Sequence, residues 1–110
     1  MIFTAGDIIK LNFDPTLGHE QAGYRPAVVI SREYFNRRTG LLIVCPITST
    51  SRPYPTWVPL DGKTATRGYV LCEHVKTIDA KARDPKFIEK ADGVILDKIL
   101  AVVGSIIQKG

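Results

Sequence analysis

The hydrophobic period of this chain changes once, and the change fixes the order of its secondary structure. Over residues 6–78, apolar residues alternate or run together in short blocks cut by proline and glycine, which is the pattern of strands. From Val94 onward, Ile95, Ile99, Val102, Val103, Ile106 and Ile107 recur at three- and four-residue intervals, the stripe of an amphipathic helix. Asp92-Gly93 lies at the start of that run, where a carboxylate suits the helix dipole. Strands first and helix last predict a mainly β fold with a C-terminal α-helix, a small and strongly curved antiparallel sheet or barrel closed by the helix. The length of 110 residues, with no repeat or linker, predicts one domain over 1–110.

Local signals place the strands. Ile9, Leu11 and Phe13 alternate with Lys10 and Asn12, and Asp14-Pro15 ends that strand, because proline cannot continue a ladder. Residues 15–24 make a polar loop, long enough to carry function. Pro26 opens a second strand through Ser31, whose unbroken Ala27-Val28-Val29-Ile30 predicts burial on both faces. Ser31 is expected to cap a helical turn over Arg32 to Asn36, with Thr39-Gly40 turning back into a third strand, Leu41 to Thr48. Thr56 to Leu60 reads as an edge strand, because Pro59 lies inside it. Gly68 to Ile78 reads as one long, bent strand.

Charge and cysteine usage narrow the class. The formal net charge is +4, a moderate excess that favours an anionic partner without identifying it. No apolar run is long enough to span a bilayer, and the N-terminus lacks the pattern of a signal peptide, so a cytoplasmic location is expected. Cys45 and Cys72 each sit in an apolar, strand-like run and read as buried free thiols.

The acidic residues are dispersed, with no Asp-x-Asp and no His-x-x-x-His, so no metal site and no cofactor is expected. There is no phosphate-cradling glycine loop ahead of a helix and no Gly-x-Ser-x-Gly elbow. What remains is a metal-free site of Arg, Glu, His, Thr and Tyr. RNA is a substrate such a site can cut, because the ribose 2′-hydroxyl is the nucleophile and the protein supplies positioning, charge stabilisation and proton transfer. Arg25 suits the charge-stabilising role, since a guanidinium offers two parallel donors to phosphate oxygens. Thr48, at the end of a buried strand, would hold the same phosphate, and Glu20 and His19 are the nearby groups able to accept a proton. Each residue also has a structural reading. Arg25 could pair with Glu20 or Asp14, Thr48 could bond backbone, and Lys76 and Arg83 could be solvated. Trp57 and Tyr54 could stack bases or pack on their own sheet.

The run Glu20-Gln21-x-Gly23-x-Arg25-Pro26 resembles the signature of the MazF/PemK endoribonuclease toxins of type II toxin–antitoxin systems. Gly6-Asp7-Ile8, Phe13-Asp14-Pro15, Cys45-Pro46-Ile47-Thr48-Ser49, Tyr54-Pro55 and Val75-Lys76-Thr77-Ile78 extend the resemblance along nearly the whole chain. The resemblance implies an SH3-like barrel with a C-terminal helix. It implies a homodimer that cuts single-stranded RNA, such as mRNA, at a short sequence without metal, and it makes Arg25 and Thr48 the catalytic pair. Glu20 is implicated with them, and the proton-transfer role falls to Glu20 or His19, because Tyr24 stands where some members carry histidine. Tyr24, Ser49, Arg52, Trp57, His74 and Lys76 are the expected RNA contacts. A partner antitoxin with a flexible C-terminal segment is implied as the inhibitor. The same resemblance leaves two rivals: a non-enzymatic toxin of this fold acting on DNA gyrase, and an RNA-binding barrel without activity.

Overall fold

In the computed structural model all residues 1–110 are described. The chain runs β1 (Asp7–Asn12), β2 (Tyr24–Val29), α1 (Glu33–Thr39), β3 (Leu41–Thr48), β4 (Trp57–Pro59), β5 (Tyr69–Leu71), a 3₁₀ turn (Cys72–His74), β6 (Lys76–Asp79), α2 (Ala80–Arg83), β7 (Lys86–Lys90) and α3 (Gly93–Ile106). All pairings are antiparallel, in the order β4-β5-β3-β2-β1-β7, with β6 also on β3. The sheet curves but does not close, so of the two expected forms the open one holds. Pro59 is in an edge strand, as its missing N–H requires.

The central strands are apolar on both faces because both faces are covered. Ile8, Val28, Cys45 and Ile47 pack with Ile95, Ile99 and Val103 of α3. On the other face Ile9, Leu11, Phe13, Ala27, Val29, Leu42, Val44 and Ile78 form a second cluster within the curl of the sheet. Burying each such side chain contributes roughly 1.5–3 kcal/mol, which makes β1–β2–β3 the rigid centre. Asp92 caps α3, accepting from the Ile95 N–H at 2.9 Å.

Four local expectations need correction. Gly68–Ile78 is not one strand. β5 and β6 follow the same edge of β3, but the register advances between them. Ile47 faces Val70, which continued would put Glu73 opposite Val44, yet Val44 faces Lys76. The three residues of the 3₁₀ turn account for the slip, and Cys72 therefore sits in that turn rather than in a strand. The second strand opens at Tyr24, so Arg25 lies in the ladder opposite Leu11 rather than at its mouth. Ser31 does not cap α1. Its N-cap is Arg32, without a side-chain bond, while the Ser31 hydroxyl turns inward, donates to the side-chain Oδ1 of Asn36 and accepts from the Ile43 N–H at 2.9 Å. Arg83 is more than a solvated face: partly exposed, its guanidinium donates to the Asn12 and Asp14 carbonyls and ties the start of the 15–24 loop to the sheet. Gly40 ends α1 with a φ of 74°, in the left-handed region where glycine meets no Cβ penalty, as the expected turn needs. Neither β7 nor α2 was expected. Cys45 and Cys72 are both free and buried.

Candidate active site

The site lies where β3 changes partner. The β2–β3 ladder ends at Ala27 opposite Pro46, and beyond it Ile47 and Thr48 pair with β5 instead. Two further residues in the β2–β3 register put Arg25 opposite Thr48, on the same sheet face as Ala27 and Pro46. Beyond the end of the ladder is a cleft of about 320 Å³ lined by Tyr24, Arg25, Thr48, Ser49 and Arg67.

Arg25 is half-buried and oriented. Its Nε–H donates to the Ala22 carbonyl at 2.8 Å, and that is its only protein bond. The terminal nitrogens remain free to make the paired donation that a phosphate accepts. The alternative pairing with Glu20 or Asp14 does not form. Glu20 Oε1 accepts from the Leu17 N–H at 2.9 Å, and Asp14 Oδ1 accepts from the Gly23 N–H at 3.1 Å. No carboxylate lines the cleft. Lys10 Nζ stands 5.1 Å from the centre of the Tyr24 ring, a further positive charge nearby.

Thr48 is placed by its neighbour across β5. Gly68 has a φ of 119°, and a Cβ built on it would come 2.0 Å from the Thr48 carbonyl oxygen. Only glycine allows that approach. The Thr48 hydroxyl receives a long bond, 3.3 Å, from the Thr50 N–H.

A second cleft of about 210 Å³ is lined by Pro46, the β3 residue before Ile47 of the first cleft. Glu20 and Gln21 of the loop face Glu73, His74 and Lys76 there, over a floor that includes Phe13. The 3₁₀ turn brings Glu73 and His74 there by lifting them off the ladder. Partial burial pushes the Glu73 carboxyl up. The Trp57 indole N–H at 2.7 Å, its own backbone N–H, the Thr56 hydroxyl at 2.8 Å and the adjacent His74 together hold it below the usual range.

The expected residues thus divide. Arg25, Thr48, Tyr24 and Ser49 share the first cleft; Glu20, His74 and Lys76 share the second. His19 and Arg52 are exposed and line neither. Trp57 packs against Tyr54, edge to face at 5.2 Å, and lies 6.0 Å from Tyr69, with its N–H on Glu73. That is the arrangement of an aromatic packed on its own sheet. Sequence reasoning missed Arg67 and Glu73. Glu73 carried a faint signal in its place beside His74, and Arg67 carried none. No three His, Cys, Asp or Glu side chains gather anywhere into a possible metal site.

Comparison with known proteins identifies the family and the fold. Residues 4–107 match the family described as PemK-like, MazF-like toxin of type II toxin–antitoxin system. Endoribonuclease PemK of Escherichia coli is 39% identical over 106 residues, covering 93% of this chain and 80% of that protein. MazF from Deinococcus radiodurans superposes with a TM-score of 0.91 at 36% identity, covering 96% of each chain. A MazE–MazF structure from the same organism gives 0.85 at 36% identity, again over 96% of each. The chain belongs to the PemK/MazF toxin family.

Proposed function

We propose that this chain is a sequence-specific, metal-independent endoribonuclease toxin that cleaves single-stranded RNA, with mRNA as its cellular substrate. The ribose 2′-hydroxyl gives up its proton and attacks the adjacent phosphorus, the bond from phosphorus to the 5′-oxygen breaks, and that oxygen takes up a proton from a donor, giving a 2′,3′-cyclic phosphate and a 5′-hydroxyl. Arg25 donates its terminal N–H groups to the non-bridging oxygens as charge develops on them. Thr48 donates its hydroxyl to the same phosphate and holds it in line. Glu20, which lines the neighbouring cleft, takes the 2′-proton, and His19, the residue before it, is the other proton-transfer candidate. Ser49 and Tyr24 contact the strand beside the cut, and His74 and Lys76 contact it in the second cleft. Arg52 and Trp57 are outer contacts. Sequence preference comes from splayed bases rather than from a duplex groove.

One observation carries this reading. An arginine whose Nε is tied down, and whose remaining donors are free, faces a threonine in a cleft without a carboxylate. Two guanidiniums and no anionic ligand favour a phosphate and disfavour a divalent cation, which supports metal independence. The family and the MazE–MazF complex support inhibition by a cognate antitoxin, whose flexible acidic segment would compete for the same clefts. The chain would act as a homodimer, and exposed Phe87, Ile88, Val94, Leu100 and Ile107 are apolar side chains on β7, on α3 and just past its end that a second copy could cover. No helix is long and apolar enough to cross a membrane; the mRNA substrate of this reading places its action in the cytoplasm.

The test is incubation of the purified protein with a sequence-diverse RNA pool in excess chelator, followed by end-group analysis. Discrete cuts bearing 2′,3′-cyclic phosphate are expected. An uncut pool, or cuts that need added metal, would refute the reading.

A further inference from the structure

Arg67 takes no part in the chemical step described above, yet its surroundings are those of a ligand-binding side chain. It is exposed and makes no hydrogen bond or ion pair, while lining the cleft that holds Arg25 and Thr48. Strand order explains the grouping. β3 lies between β2 and β5, so Arg25 reaches Thr48 from one side and Arg67, just before β5, reaches it from the other.

The backbone on both sides of Arg67 is fixed. Glu89, from β7, accepts from the Ala65 N–H at 3.0 Å and from the Thr66 N–H and hydroxyl at 2.7 Å each. On the other side Gly68 lies against the Thr48 carbonyl, and its own carbonyl accepts from the Leu60 N–H at 3.0 Å. The side chain is therefore free on a clamped main chain, which is the condition for binding with little loss of loop entropy. Two guanidiniums in one cleft without a carboxylate repel each other, and a polyanion relieves that repulsion.

We infer that Arg67 is a substrate-binding residue, contacting a backbone phosphate of the bound RNA next to the one held by Arg25 and Thr48. The inference rests on the ribonuclease reading. Arg67 binds the strand alike before and during the chemical step, so it acts on affinity rather than on turnover.

Steady-state cleavage of an RNA containing the preferred site is compared for the wild type, Arg67→Ala and Arg67→Lys. Binding of the same RNA with a 2′-deoxy sugar at the cut, which cannot react, is measured from low to moderate salt. Arg67→Ala is expected to raise KM and Kd roughly tenfold, with kcat unchanged within about twofold. The slope of log affinity against log salt should fall in magnitude by about 0.7, the value for one phosphate contact on a single strand. Arg67→Lys should restore that slope. An unchanged slope, or a fall in kcat at constant KM, overturns the inference. If the wild type cuts RNA and Arg67→Ala equals it, only the role of Arg67 fails. If the wild type cuts nothing, the ribonuclease reading fails and takes this inference with it.

Discussion

The two clefts beside the end of β3 share a strand and a sheet face but hold their charges in opposite ways. In the first, Arg25 and Arg67 keep donors that no protein group accepts. In the second, the Glu73 carboxylate is already occupied by Thr56 and Trp57, and Glu20 accepts from the turn of its own loop. A satisfied network holds shape, whereas an unsatisfied set of cations is stable only at a surface and attracts an anion. On the proposed reading, the first cleft would do the charge-stabilising work, and the second would order the strand and take up the proton.

The contrast can be broken at several points. Removing Arg25 or Thr48 has the largest expected effect. Arg25→Ala and Thr48→Ala should each lower kcat by about 10²–10³-fold, with circular dichroism and melting temperature close to the wild type. Comparable cleavage by either variant would remove the first cleft from the chemistry. Gly68→Ala comes next. Its methyl would collide with the Thr48 carbonyl, so β3 and β5 must part. Activity should approach that of Thr48→Ala, and stability should fall by about 1–3 kcal/mol, read from denaturant unfolding.

Smaller effects sharpen the second region. Glu20→Gln keeps an oxygen for the Leu17 N–H but loses the basic carboxylate, so a rate decrease near 10²-fold is expected with the fold retained. If Glu20→Gln is neutral and His19→Ala is not, the proton transfer belongs to His19. The smallest effect is that of acid on the clamp behind Arg67. The side-chain and backbone hydrogen bonds of Thr66, then of Ala65, hold the Glu89 carboxyl below its ordinary value of 4.5. A carboxyl lowered on folding stabilises the protein above its unfolded pKa, and that stability is lost as pH falls through the folded value. The melting temperature should therefore drop below about pH 4.5, and Glu89→Gln should make the drop shallower. Parallel curves for the two proteins would show that the clamp contributes nothing.

Legibility in the sequence followed burial. β1, β2, β3 and α3 were readable because their apolar residues face two packed clusters, and burial imposes period on a sequence. β7 was not, since Phe87 and Ile88 are both exposed and its ladder to β1 is backbone bonding, which any side chain permits. The break in Gly68–Ile78 was hidden for a related reason. Val70, Leu71, Cys72 and Ile78 are all buried, so the pattern continues through a turn whose only mark is the exposed Glu73. Within the site, Arg25 and Thr48 were legible through their motifs, whereas nothing near Arg67 distinguishes it from a solvated arginine.

The sequence alone determined the order of elements, the buried centre and the residue types able to hold a phosphate, because these depend on period and on side-chain chemistry. Tertiary structure decided which of those residues meet. Arg25 and Thr48 line one cleft because both lie two residues beyond the last pair of the β2–β3 ladder. Arg67 joins them because Gly68 lets β5 close on Thr48. His74 meets Glu20 of the 15–24 loop in the second cleft because a three-residue turn shifts β6 against β3 and turns His74 off the ladder. Register and strand exchange are properties of the assembled sheet, set by pairings between segments far apart in the chain.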